Sequence, residues 1–137
     1  MVRQALIAGS LLGFLSVAAG AFGAHGLREL LPADRLAIFE TGVRYAMFHA
    51  TGLLATGLLA IHRPSPALRR ATLAFVAGAV LFSGSLVALA LTGVRALGAI
   101  TPLGGLSFLA GWLFVASAAA RLPPIPPDAR GPGNSSG

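Results

Sequence analysis

Residues 71–94 read ATLAFVAGAVLFSGSLVALALTGV, a run with no charged side chain and only four hydroxyls. At 1.5 Å of rise per helical residue, about twenty residues cross the roughly 30 Å hydrocarbon layer of a bilayer. This run meets that length outright. It lacks the apolar/polar alternation of a barrel strand, and a backbone in lipid must satisfy its own hydrogen bonds, so a membrane helix is predicted. Three more apolar runs flank it, at 4–27, 45–62 and 96–120. The first and last are long enough to span. The run at 45–62 is short, and residues 36–44 have helical character that extends it. The predicted fold is all-α, a membrane four-helix bundle with helices at about 4–25, 34–62, 66–92 and 101–121.

Composition agrees. Hydrophobic residues make up 55% of the 137 and charged residues 10%, far below the quarter or so typical of soluble domains. All ten basic residues are arginine, and with four carboxylates they leave a formal charge of +6. They stand singly or in pairs between apolar runs, which points to orientation in a membrane and not to nucleic acid. Cysteine is absent, which removes disulfides, thiolate chemistry and cysteine metal sites.

Punctuation marks the helix ends. Ser65-Pro66 and Thr101-Pro102 each read as an N-cap followed by a first-turn proline. Gly26 and Gly93 stand where helices one and three should stop. The connection 63–66, RPSP, is tight and makes helices two and three antiparallel neighbours. Residues 122–137 are rich in proline and glycine and are predicted to form a disordered tail. Arg3, the apolar run and Ala19-Gly20-Ala21 also suit a cleaved leader, but the run is long for one. Helix one is therefore expected to be retained.

Arginine placement predicts topology. Arg3, Arg63, Arg69, Arg70, Arg121 and Arg130 fall on one side, and Arg28, Arg35, Arg44 and Arg95 on the other. The short basic loop 63–70 decides the bias, placing both termini in the cytoplasm and the protein in the cell inner membrane.

Lipid gives helices no hydrophobic reason to associate, so close van der Waals contact between small residues must hold the bundle. Pairs four apart occur at Gly9/Gly13, Ser16/Gly20, Gly52/Thr56, Ala74/Gly78, Gly84/Ala88 and Ser107/Gly111. Gly9, Gly13, Gly20, Gly52, Gly78, Gly84 and Gly111 are the expected packing glycines. Such faces also leave room for a larger membrane-protein partner or a homo-oligomer. Leu36, Phe39, Val43 and Met47 give residues 28–40 and the turns that follow an apolar face suited to lying at the membrane interface.

Ionisable groups are costly in a bilayer and mark candidate sites. His25, Glu40, Arg44, Tyr45 and His49 gather toward the non-cytoplasmic end. Glu40 and Arg44, four apart with the acid first, are expected to form a structural ion pair. Tyr45 and His49 are also four apart. His25, Arg44, Tyr45 and His49 are the candidate ligand-binding residues, with Arg44 as the charge and the histidines as donors for a lipid head group, quinone or small anion. His25 and His49 could be paired as haem ligands, but both lie near helix ends and not at matched depth, so no cofactor and no metal are expected. Ser83 and Ser85 fall mid-membrane, where back-bonding to the helix is the ordinary role of a hydroxyl. No nucleophile is spaced beside a base and an orienting acid, so no enzyme activity is expected.

Four ordered motifs carry a family resemblance: residues 20–27, GAFGAHGL; Thr41-Gly42-Val43-Arg44-Tyr45 with residues 47–50, MFHA; residues 81–86, LFSGSL, with 89–93, LALTG; and residues 100–105, ITPLGG, with Gly111-Trp112. Together they resemble the small membrane-protein family called domain of unknown function 423, which includes eukaryotic transmembrane protein 256. The resemblance covers about residues 5–120. It implies an integral membrane protein of bacterial inner membranes or mitochondria, and no established reaction. Ala46 stands where glutamine is common and Val87 where tyrosine is common. Two roles follow for this chain: an accessory or scaffolding subunit of a larger membrane complex, or a binding or transport protein using the His/Arg cluster.

Overall fold

The computed structural model describes residues 1–123. Four helices long and apolar enough to cross a membrane are found among them. They are α1 (Val2–Leu27), α2 (Ala33–His62), α3 (Pro66–Thr92) and, after a 3-10 turn at Arg95–Ala99, α4 (Thr101–Ala119). The tail expected at 122–137 lies, from residue 124 onward, outside the described residues. α1 packs on α2, α2 on α3, and α3 on α4. α2 is the most enclosed of the four, whereas α1 and α4 turn Leu11, Phe14, Leu106 and Leu113 outward, as lipid contact requires.

Three apolar clusters stack along the bundle. Leu27, Phe39, Val43 and Ala90 fill one end, Leu53, Ala71, Phe75 and Phe108 the middle, and Ala60, Leu68 and Ala118 the other end. The first cluster absorbs the amphipathic stretch expected at the interface. Residues 28–32 form a turn, and residues from Ala33 onward are already α2. Phe39 and Val43 point into the protein, because the neighbouring ends of α1 and α3 offer tighter packing than the membrane surface.

The helix ends follow local chemistry with two exceptions. Ser65 caps α3 by accepting a hydrogen bond from the Leu68 N–H at 3.3 Å, with Pro66 in the first turn. Gly93 closes α3 in the left-handed region at φ 75°, a conformation that glycine adopts without steric cost. Gly26 does not stop α1, which continues through a π-helical turn at Gly23–Leu27. Thr101 does not cap α4: the 3-10 turn runs into the helix through Ile100. The Thr101 hydroxyl instead meets the Ser85 hydroxyl at 2.8 Å, tying α4 to α3.

α3 is also interrupted by a π-helical stretch, Ala79–Gly84. Wider turns of this kind are frequent at functional positions. Ser85 back-bonds to the Phe82 carbonyl at 3.0 Å. Ser83, within the π-helical stretch, departs from the expectation: its hydroxyl is buried without a protein partner.

The expected packing glycines divide into two groups. A Cβ on Gly9 would come within 3.0 Å of the Ala50 carbonyl, and one on Gly111 within 2.6 Å of the Phe75 ring. Gly52 faces Trp112, and Gly78 lies directly under the Phe108 ring. Gly13 and Gly20 meet only ordinary contacts, at 3.8 Å from Ala50 and 3.7 Å from Val43. Gly84 is a correction. It is exposed, and only the Ala79 carbonyl of its own helix lies within 4 Å. It borders an open groove that α3 shares with α1 and α2 instead of a close contact. Gly42, Gly57 and Gly104, which the four-apart pattern does not name, also stand at close helix crossings.

Candidate functional site

Arg44, Tyr45, Phe48 and His49 recur at the spacing of one helical face of α2. Gly105, Phe108, Leu109 and Trp112 do the same on α4. With Phe82 from the π-helical stretch of α3, they line a lateral groove of about 550 Å³. From Gly105 to Trp112 the groove runs about 10 Å along α4. Gly104 makes it: without a side chain there, α4 settles against the Leu81–Phe82 backbone. That contact sets the Phe82 ring 4.6 Å from Tyr45 and 5.7 Å from Phe108.

His49 forms the inner wall and is 3% exposed. Its ring stacks on Phe108 with centroids 3.4 Å apart and planes 6° from parallel. Nδ1 lies 2.8 Å from the Tyr45 carbonyl, and Nε2 accepts from the Trp112 indole N–H at 3.2 Å. A carbonyl only accepts and an indole only donates, so the ring is the neutral tautomer protonated at Nδ1. Both nitrogens are thereby engaged, and His49 has no lone pair left to bind a metal. Phe48 and Phe75 complete the aromatic shell, at 5.6 Å and 5.1 Å from Trp112.

The polar groups thus divide by depth. The inner end of the groove holds His49 and Trp112, with the Trp112 N–H satisfied by His49 and the two His49 nitrogens by Trp112 and the Tyr45 carbonyl. At the opposite end Arg44 and Tyr45, both exposed, bring a guanidinium and a phenol hydroxyl. A molecule seated here would meet a donor-rich mouth and a laterally open aromatic wall, where Phe48 and Trp112 are themselves exposed.

Of the residues expected from sequence to bind ligand, Arg44, Tyr45 and His49 line this groove. His25 does not. It is exposed on the terminal turn of α1, and α1 packs on the other side of α2, through Val43, Ala50 and Gly57. His25 and His49 consequently do not form a pair. The Glu40–Arg44 ion pair is also corrected: both side chains are exposed, and no ion pair joins them among the described residues. An exposed pair gains little over the entropy of holding two long side chains in one geometry. Phe48, Phe82, Phe108, Leu109 and Trp112 are groove residues that the polar-residue search passed over. Their signal was present: the groove takes the chain's single tyrosine and single tryptophan, with Phe108 and Trp112 four apart.

Comparison with known proteins places this architecture. A family described as protein of unknown function (DUF423) matches residues 19–105. The UPF0382 membrane protein YwdK of Bacillus subtilis is 43% identical over 117 residues, covering 85% of this chain and 95% of that protein. The UPF0382 membrane protein SH2409 of Staphylococcus haemolyticus is 46% identical over 110 residues, 80% of this chain and 89% of that one. The UPF0382 inner membrane protein YgdD of Escherichia coli K12 is 40% identical over 120 residues, 88% and 92% of the two chains. No solved structure matches. With four apolar helices and relatives named as membrane and inner membrane proteins, the chain is a small multi-pass inner-membrane protein. It belongs to the DUF423 family.

Proposed function

We propose that the protein binds, without chemically transforming, a membrane-soluble amphiphile in the groove between α2 and α4, with the polar head at Arg44 and Tyr45. One observation supports this above the rest: the groove of about 550 Å³ is walled by aromatic rings, with Arg44 and Tyr45 at its mouth. A head bearing acceptor oxygens, as in a quinone, a phospholipid or an organic anion, satisfies those donors. The body of the molecule then lies along Phe48, Phe108 and Trp112.

The groove carries its own reporter, because Trp112 is the only tryptophan. Titrating the purified protein in detergent with a decyl-quinone and with a short-chain phosphatidic acid should change Trp112 emission for at least one of them. A charge-assisted hydrogen bond contributes roughly 1.5–3 kcal/mol, so Arg44→Ala should weaken that binding about ten- to a hundredfold. Helicity and melting should stay unchanged, since Arg44 is exposed. Unchanged affinity in Arg44→Ala, or no response to either probe, overturns the assignment. A larger protein retained at fixed stoichiometry, with an unresponsive groove, would instead make this chain an accessory or scaffolding subunit.

Both termini are assigned to the cytoplasm. Arg3, Arg63, Arg69, Arg70 and Arg121 gather at one end of the bundle, and no carboxylate shares that end among the described residues. The other end mixes Arg28, Arg35, Arg44 and Arg95 with Glu29, Asp34 and Glu40. Basic loops are retained on the cytoplasmic side. Because the chain has no cysteine, single-cysteine labelling is clean. A membrane-impermeant maleimide on intact cells should label Ala96→Cys and spare Pro64→Cys. The reverse pattern would invert the assignment.

A further inference from the structure

We propose a second binding site at the end of the bundle remote from the groove: a cradle for the phosphate of an anionic phospholipid, built by Arg63 and Arg121. These arginines come from opposite halves of the chain, one from the α2–α3 connection and one from the turn after α4. Nothing local requires them to meet, yet both line one cavity of about 210 Å³. Arginines needed only for topology could sit anywhere in their loops. Convergence on a shared cavity calls for a further reason.

The cavity is shaped for a head group at the membrane boundary. Leu59, Leu68 and Ala118 form its floor, and the last two belong to the apolar cluster that closes this end of the bundle. Leu122, 42% exposed, is part of the lining and turns an apolar edge outward. Both arginine backbones are anchored: the Arg63 N–H donates to the Leu59 carbonyl at 3.0 Å, and the Arg121 N–H to the Ala118 carbonyl at 3.2 Å. Ser65 accepts the Leu68 N–H at 3.3 Å, which leaves its own hydroxyl hydrogen to donate into the cavity. No carboxylate lines it among the described residues.

Guanidinium groups present planar, paired N–H donors that match the oxygens of a phosphate. Two of them beside a hydroxyl, over an apolar floor, suit a phosphodiester whose acyl chains continue into the bilayer. Basic pockets between membrane helices on the cytoplasmic side take anionic head groups by this chemistry. The position at the ends of α2, α3 and α4 favours a lipid over a free ion, because the floor would be wasted on inorganic phosphate.

The test is native mass spectrometry of the full chain in detergent, titrated with phosphatidylglycerol or with phosphatidylcholine of the same acyl chains. The wild type should retain phosphatidylglycerol at least tenfold more tightly than phosphatidylcholine. Arg63→Gln/Arg121→Gln should lose that preference. Arg69→Gln/Arg70→Gln, which removes the same charge from α3 outside the cavity, should keep affinity within about twofold. Trp112 emission, reporting on the distant groove, should be unchanged in both variants and so confirms folding. Equal losses in the two double variants would reduce the effect to net charge and overturn the site, as would no preference in the wild type. Displacement of the lipid by millimolar inorganic phosphate would overturn the lipid as the occupant.

Discussion

Gly104→Val should prevent the native bundle from forming, and this is the largest effect expected of any single substitution in the chain. A Cβ at residue 104 would fall on the Phe82 amide nitrogen, with the Leu81 carbonyl carbon and the Phe82 Cα only 2.7 Å away. These are backbone atoms of a neighbouring helix. No rotamer change can relieve the contact, so α4 would have to move off α3. Overpacking a core costs about 1–3 kcal/mol when side chains can yield, and more where only backbone can. Displacing α4 would also separate Thr101 from Ser85 and Phe108 from His49. A thermal melt or a denaturant titration in detergent reads the result, and a midpoint near that of the wild type would overturn so close an α3–α4 crossing. Gly84→Val is the matched control. It adds the same atoms to an exposed position that borders an open groove shared with α1 and α2 but has no atom of another helix within 4 Å of the added Cβ, and should stay within about 0.5 kcal/mol of the wild type.

The second large effect is expected for Phe75→Ala. Phe75 is 0% exposed and occupies space left by two glycines, Gly52 on α2 and Gly111 on α4. In water, truncating a buried phenylalanine costs about 3–5 kcal/mol, part of it the transfer of apolar atoms from solvent. That part shrinks here, because a dissociated helix remains in lipid. The cavity itself still counts: on the order of 100 Å³ at about 24 cal/mol per Å³ gives about 2 kcal/mol. Phe75 also backs Trp112 and His49, at 5.1 Å and 5.6 Å between ring centroids. Phe75→Ala should therefore lower the melting midpoint and also broaden the Trp112 emission and weaken the binding proposed for the groove. Loss of stability with unchanged groove affinity would separate the core from the site.

The two predictions bracket what packing glycines mean in this protein. A small residue four positions from another marks a face on which a helix could approach. Gly9, Gly78 and Gly111 fulfil that in the structure, whereas Gly84 does not and Gly104 was absent from the pattern. The difference comes from α3. Its π-helical stretch, Ala79–Gly84, shifts the phase of every position that follows, and a residue pattern counted at 3.6 per turn cannot anticipate that shift. The same turn holds Ser83, whose hydroxyl has no protein partner, and Phe82, which lines the groove.

The candidate site was half legible. Arg44, Tyr45 and His49 are conspicuous because polar groups are rare in an apolar chain, and on α2 they keep the face that their spacing implies. His25 was grouped with them because it lies toward the same end of the membrane. Depth is readable from sequence, but the side of α2 on which a neighbour packs is not. The aromatic walls are marked in the sequence only by its single tyrosine and single tryptophan: phenylalanine in a membrane helix is as consistent with lipid contact as with a groove lining, and only the neighbours of Phe82, Phe108 and Trp112 decide between them.

Sequence alone determined the solvent, the number of spans, their approximate limits and the basic end of the bundle. Each of these follows from transfer energies and helix geometry, which act residue by residue along the chain. Tertiary structure alone decided which helices cross closely, that His49 is held neutral between Tyr45 and Trp112, and that Arg63 and Arg121 line one cavity. These depend on the relative rotation of whole helices. In a bilayer, where every outward face is equally content with lipid, that rotation is set by packing between helices and leaves only a faint trace in the pattern of apolar residues.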